Sequence, residues 1–124
     1  SINAIFATYG ETGFREREHK YLAEIIAGSE GRMIVACGGG TPCFHGNMEM
    51  MRRAGTVVYL NAPVALLLER ISANPAIRPL LRGKQNMAEY LEDMLNKRSR
   101  FFEQANIILT PKFISIATFE EIIT

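Results

Sequence analysis

Met33-Ile-Val-Ala-Cys37-Gly-Gly-Gly40 decides the fold, because five almost unbroken apolar residues run directly into three glycines. A short apolar run closed by a glycine turn is the pattern of a strand buried on both faces of a parallel sheet. The segment is therefore predicted to be a buried strand. Cys37 is expected to be a small buried hydrophobe rather than a nucleophile, since no His or Lys adjoins it. Glycines permit backbone conformations closed to other residues and let a ligand approach main-chain N–H groups. Ligands of open α/β sheets gather at the carboxyl ends of the strands, where this turn falls. Taken alone, Gly38-Gly39-Gly40 fits a ligand cradle and a plain tight turn equally well.

Working outward, Phe14, Tyr21, Leu22, Ile25 and Ile26 recur at helical spacing between Glu11 and Ala27, and Gly28 supplies a stop. Arg15 then falls near a helix start. On the other side, Asn47 to Ala54 reads as a short helix. Thr56-Val-Val-Tyr-Leu60 reads as a second buried strand, and Pro63 suits the first turn of a helix over Val64 to Ala73. Asn74 to Lys84 loses periodicity at Pro75, Pro79 and Gly83 while carrying Arg78, Arg82 and Lys84, the make-up of a cationic loop. Met87, Leu91, Met94, Leu95, Phe101, Phe102 and Ala105 stripe a long helix. Asn106-Ile-Ile-Leu-Thr110 is a third strand, and Thr118-Phe-Glu-Glu121 matches a capping box that opens a last, short helix. Strands alternating with helices make this an α/β chain with a parallel sheet, without internal repeats.

At 124 residues, with 48% hydrophobic and 22% charged residues, the chain suits one globular domain. A formal charge of +1 supplies no strong global field, which argues against nucleic acid or an anionic membrane as the main partner. Cys37 and Cys43 lack CxxC spacing and are too few for a disulfide scaffold, which fits a reducing, cytoplasmic setting. No apolar run approaches the roughly 18 residues of a membrane span, and no basic-then-hydrophobic leader is visible. His19 and His45 have no partners at ligand spacing, so no metal site is expected in this chain.

Phe14-Arg15-x-x-Glu18 places an arginine and a glutamate on one helical face, within reach of each other. A guanidinium fixed in this way is the preferred receptor for a carboxylate, because two parallel hydrogen bonds set orientation as well as charge. A solvated salt bridge on an amphipathic helix is the plain alternative. Arg78-Pro79, within the cationic loop, suits a lid that closes over a nucleotide and sets an arginine against a phosphoryl group in flight, or else a merely soluble surface loop. Arg98 interrupts the apolar stripe of the long helix and so requires an anionic partner, either a structural carboxylate or a ligand. The chain contains no Gly-x-x-x-x-Gly-Lys-Ser/Thr, the loop that usually holds a phosphate donor beside such a site.

In this order, the stretch from Ser1 to Glu18, Cys37-Gly-Gly-Gly40, Leu60-Asn-Ala-Pro63, Leu68-Glu-Arg70 and Arg78-Pro-Leu-Leu81 resemble shikimate kinase, a family of small P-loop kinases. The resemblance implies a three-layer α/β/α fold with strand order 2-3-1-4-5, the first two strands lying outside this chain. The strands predicted here would then be the third, fourth and fifth. It implies transfer of the ATP γ-phosphoryl group to the 3-hydroxyl of shikimate, with Mg²⁺ bridging phosphates, on the chorismate route to aromatic amino acids, in a monomeric enzyme. Arg15 and Arg98 would clamp the shikimate carboxylate, and Gly38, Gly39 and Gly40 would meet the substrate through backbone N–H groups. Arg78 would reach the transferring phosphate, and Arg70 would lie near the adenine.

On this reading residues 1–124 are a partial kinase domain: a shikimate-binding region over 1–40, a lid over about 74–84 and a shortened C-terminal helix. The family's phosphate loop and its Asp-x-Asp pair, which serve the metal and the reacting hydroxyls, would precede Ser1. Cys37 and Phe102 stand where the family often has hydroxyl-bearing residues. Without a central strand, two sheet edges would be left unpaired, so residues 1–124 alone are expected to be inactive and not to fold stably. Two alternatives stand beside this: another small-molecule kinase of the same fold, such as a gluconate kinase, and a noncatalytic kinase-like binding domain.

Overall fold

The computed structural model describes residues 1–73 and 86–123. The predicted lid over about 74–84, with Arg78, lies outside the described residues. The chain divides into two compact units, Ser1–Val57 and Val58–Thr124.

The first unit is built on helix α1, Ile2–Ala27, capped by the Ser1 hydroxyl and broken internally at Gly10, whose φ of 68° and ψ of −173° are not helical. The predicted start at Glu11 therefore coincides with a break rather than a beginning. Eight residues along a straight helix would separate Phe6 from Phe14 by about 12 Å. Their rings instead stack with centroids 4.7 Å apart, so the chain turns sharply at Gly10. Glycine is required there for its left-handed φ. At Gly13 the requirement is space, because a Cβ would run into that of Tyr9. Helix α2, Asn47–Ala54, forms as the sequence predicts, and it packs on α1 and on a short 3₁₀ turn at Thr41–Cys43.

The apolar run at residues 33–37 departs from expectation. Among the described residues it joins no ladder, Ile34 is 79% exposed, and Cys37 is exposed rather than buried. The strand order implied by the resemblance supplies a reason. It places a third strand between the second and the first, and neither of those is within residues 1–124. Extended apolar backbone is held as a strand by a neighbour's hydrogen bonds and side chains rather than by its own composition.

The second unit contains the two strands that are neighbours in that order. Strand β1, Val58–Leu60, pairs in parallel with β2, Ile107–Leu109, in the register Val58↔Ile107, Tyr59↔Ile108, Leu60↔Leu109. Asn61 N–H donates to the Leu109 carbonyl at 2.8 Å and extends the ladder. Parallel pairing needs a long crossover. Helices α3, Val64–Ala73, and α4, Met87–Phe102, lie in that connection and pack on each other. Pro63 precedes α3 as predicted, and its carbonyl accepts the first helical bond from Leu67.

The stripe of α4 buries Leu91 and Phe102, and the Phe102 ring meets Tyr59 on β1 at 4.8 Å. Ala105 falls beyond the helix, in a turn. The last helix, α5, spans Ile116–Ile123. Its cap is Ser115, whose hydroxyl accepts from Thr118 N–H, so the predicted Thr118 cap sits three residues inside. Among the described residues no helix is long and apolar enough to cross a membrane.

Candidate functional site

Arg15 lies one turn after the Gly10 break and is only 5% exposed. That excludes the solvated salt bridge. Its Nη1 donates to Glu18 Oε1 at 3.0 Å, and its Nη2 lies 3.6 Å from Glu11 Oε1. The plane of the fork is set by aromatic faces, with Cζ 4.4 Å from the Phe44 ring centroid and 5.1 Å from that of Phe14. Nε is buried and has no hydrogen-bond partner. Of the five N–H donors a guanidinium carries, the one on Nε is thus left uncommitted where water does not reach it.

The glycine turn meets this arginine directly. A Cβ on Gly40 would lie 2.7 Å from Arg15 Nη1 and 2.8 Å from its Cζ. The sequence led us to expect unusual backbone angles at the three glycines. The described glycines with positive φ are instead Gly10, Gly31 and Gly46. Gly40 has φ −85° and ψ −19°, open to any residue, so what it supplies is room for the guanidinium. Gly38 closes the turn by accepting from Thr41 N–H at 3.1 Å. Because residues 33–37 are not a strand here, the turn does not end one.

Behind the arginine runs a polar relay that local sequence pattern did not indicate. Thr41 Oγ1 donates to Glu18 Oε2 at 2.8 Å. Asn47 Nδ2 donates to the Thr41 carbonyl at 2.9 Å, and Asn47 Oδ1 faces His19 Nδ1. Asn47 is fully buried and Thr41 nearly so. A groove with a volume of ≈ 330 Å³ adjoins, with Phe14, Glu18, Val35, Cys37, Gly38 and Thr41 in its wall. Loss of water around its sulfur pushes the Cys37 thiol up from its ordinary value, although the residue as a whole is exposed. The Glu18 carboxylate adds to the rise, while hydrogen bonds with its own backbone and with Thr41 oppose it.

In the second unit, Arg98 is half-buried on α4, and among the described residues it has no carboxylate partner. Arg70 is exposed in the last turn of α3, where a cation suits the helix dipole. His19 and His45 stand with ring centroids 5.6 Å apart, and among the described residues no group of three or more His, Cys, Asp or Glu side chains is arranged to hold a metal.

A parallel ladder with helices in its crossover is the architecture of the α/β P-loop kinase fold, and in the first unit a buried arginine stands beside a glycine turn. The family model for shikimate kinase matches residues 1–124, and the chain belongs to the shikimate kinase family. The chain is similar to the shikimate kinase of Azobacteroides pseudotrichonymphae, 42% identical over 124 residues that cover 98% of this chain and 71% of that protein. It is 36% identical to the shikimate kinase of Bacteroides fragilis, across 87% of this chain and 60% of that one. Among solved structures, shikimate kinase from Bacteroides thetaiotaomicron superposes with a TM-score of 0.83 at 32% identity, covering 98% of this chain and 69% of that one. Shikimate kinase from Acinetobacter baumannii in complex with shikimate gives 0.81 at 32% identity, covering 99% and 68%.

Proposed function

We propose that residues 1–124 supply the acceptor side of an ATP-dependent kinase that transfers the γ-phosphoryl group to the 3-hydroxyl of shikimate. The observation that carries this reading is Arg15: buried, set against two rings, paired with Glu18 and left with an unpartnered Nε–H. Such a group is a ready receptor for a carboxylate, because its orientation is set before the ligand arrives. Arg98, half-buried and without a carboxylate partner among the described residues, is assigned to the same carboxylate.

The backbone of Gly38, Gly39 and Gly40 is assigned to the substrate ring. Arg78 is assigned to the transferring phosphoryl group, where a cation stabilises the charge that develops. Arg70 is assigned a place near the adenine of ATP. ATP is the co-substrate, and Mg²⁺ would serve the phosphates from ligands other than the described residues. These assignments divide residues 1–124 into an acceptor region over 1–40 and a lid over about 74–84, with 1–124 alone inactive.

The test uses the complete gene product. ADP release should require both ATP and shikimate. Arg15→Ala should lower kcat/KM for shikimate roughly 10²–10³-fold, since removing one partner of a desolvated charge pair costs about 3–4 kcal/mol. The KM for ATP should stay within about two-fold. Normal shikimate turnover in that variant overturns the carboxylate assignment, and a preference for an uncharged sugar acceptor would place the protein with another kinase of the same fold.

A further inference from the structure

Asn47 is the one fully buried large side chain of the described residues, and no part of the proposed reaction calls on it. A fully buried primary amide is costly unless its donors and acceptor are engaged, so its partners reveal what it holds. Nδ2 donates to the Thr41 carbonyl, and this fixes which way the amide faces. Turned over, Oδ1 would confront the Thr41 carbonyl, oxygen against oxygen. With Oδ1 committed toward His19, the imidazole nitrogen that meets it, Nδ1, must carry a proton. His19 therefore acts as a donor whether neutral or charged, and braces the amide from the side opposite Thr41.

From Thr41 the chain of bonds runs forward into the site. Its hydroxyl donates to Glu18 Oε2, leaving Oε1 of the same carboxylate for Arg15. Its N–H closes the turn onto the Gly38 carbonyl. Asn47 also acts through its own N–H, which donates at 3.0 Å to the carbonyl of Phe44, the residue whose ring lies against the guanidinium. The Asn47 side chain thus holds Thr41, and Thr41 in turn bonds both the glycine turn and the Glu18 carboxylate that pairs with Arg15.

We propose that Asn47, braced by His19, is a positioning residue for the acceptor carboxylate, acting on Arg15 through Thr41 and Glu18. The inference rests on the reading of Arg15 as the carboxylate receptor. It adds a requirement of its own: the relay matters for substrates that carry a carboxylate and not for those that lack one.

The test uses the complete gene product with shikimate and an analogue in which the carboxylate is replaced by hydroxymethyl. Asn47→Asp keeps the acceptor toward His19 but cannot donate to Thr41, and Thr41→Val keeps shape while losing the hydroxyl donor. Thermal unfolding and the KM for ATP serve as controls for folding, and Thr41→Val covers the case in which Asn47→Asp does not fold. Each variant should lose roughly 10-fold or more of its preference for shikimate over the analogue, as expected when a charge-assisted hydrogen bond is misdirected. His19→Leu should show a smaller loss in the same direction, restored in His19→Gln, which again offers an N–H.

Thr41→Val placed on Arg15→Ala should cost nothing further in that preference, since the relay then has nothing to position. Equal losses on both substrates, or full additivity with Arg15→Ala, would overturn the positioning role while leaving Arg15 as receptor. Unchanged shikimate preference in Arg15→Ala itself would overturn the functional reading instead.

Discussion

Arg15 and Arg98 are both arginines drawn into apolar surroundings on a helix, yet the protein treats them differently. Arg15 has a carboxylate at hydrogen-bond distance, a second nearby, two aromatic faces and a glycine shaped around it. Arg98 has none of these among the described residues. On the proposed function, the first would be a receptor whose geometry is complete before any ligand arrives, and the second a charge whose orientation the ligand completes. Preorganisation lowers the cost of binding and makes geometry matter, whereas an unheld side chain contributes mainly charge.

The sharpest way to break this contrast is to exchange each arginine for lysine, which keeps the charge and removes the fork. Arg15→Lys should lower kcat/KM for shikimate roughly 100-fold, because a point charge cannot reproduce two directed bonds or stack on Phe44. Steady-state kinetics on the complete gene product reads this directly, and a loss under about 5-fold would mean that the surroundings of Arg15 do not act as a mould.

Gly40→Ala probes the same mould from its other wall. Its backbone angles are open to alanine, so the new methyl group meets only one obstacle, the guanidinium itself. The end of a long side chain is ordinarily easy to displace. Here it is not, since moving Arg15 breaks its bond to Glu18 and slides it off two rings. Overpacking of this kind typically costs about 1–3 kcal/mol. The expected outcome is a fall of roughly 10–30-fold in kcat/KM for shikimate with the KM for ATP unchanged. Arg98→Lys should be milder still, below about 10-fold, because nothing in the described structure uses the planarity of Arg98. A larger effect there than at Arg15 would reverse the contrast.

How much of this was legible in the sequence follows from the range of the interactions. Phe14, Arg15 and Glu18 interact within one helical turn, and a three-residue spacing revealed them. Helices α2, α3 and α4 announced themselves through periodicity and through Pro63. The relay behind Arg15 did not, because Thr41 reaches Glu18 across 23 positions and Asn47 reaches His19 across 28. No local pattern records such a pairing. Asn47 looked like a polar residue opening a short helix.

Two apolar runs make the same point about the sheet. Residues 33–37 and 58–60 are similar in composition, but among the described residues only the second has a neighbouring strand, and only it is a strand. Ser115 displaced Thr118 as a helix cap because both are eligible hydroxyls three residues apart, a choice sequence alone does not make.

Cys37 offers the smallest and most local test, on the border between the unpaired run and the polar cluster. Its residue is exposed, which would ordinarily mean a reactive thiol. Desolvation of the sulfur and the neighbouring Glu18 charge both favour the protonated form and raise its pKa above the ordinary value of 9.0. At neutral pH alkylation should therefore be slower than for an unstructured cysteine, with the rate still climbing above pH 9, as followed by mass spectrometry. Unfolding releases the thiol to its ordinary pKa, so between that value and the raised one the unfolded chain sheds the proton first. Stability from the protonated thiol is complete below about pH 9 and is lost as pH rises through the folded pKa, so Cys37→Ala should flatten the alkaline decline in melting temperature. Glu18→Gln removes one of the two causes and should bring the alkylation profile back toward that of a free thiol. If Cys37 instead titrates at or below the ordinary value in the intact protein, the carboxylate does not face the sulfur, and the polar cluster ends short of the apolar run.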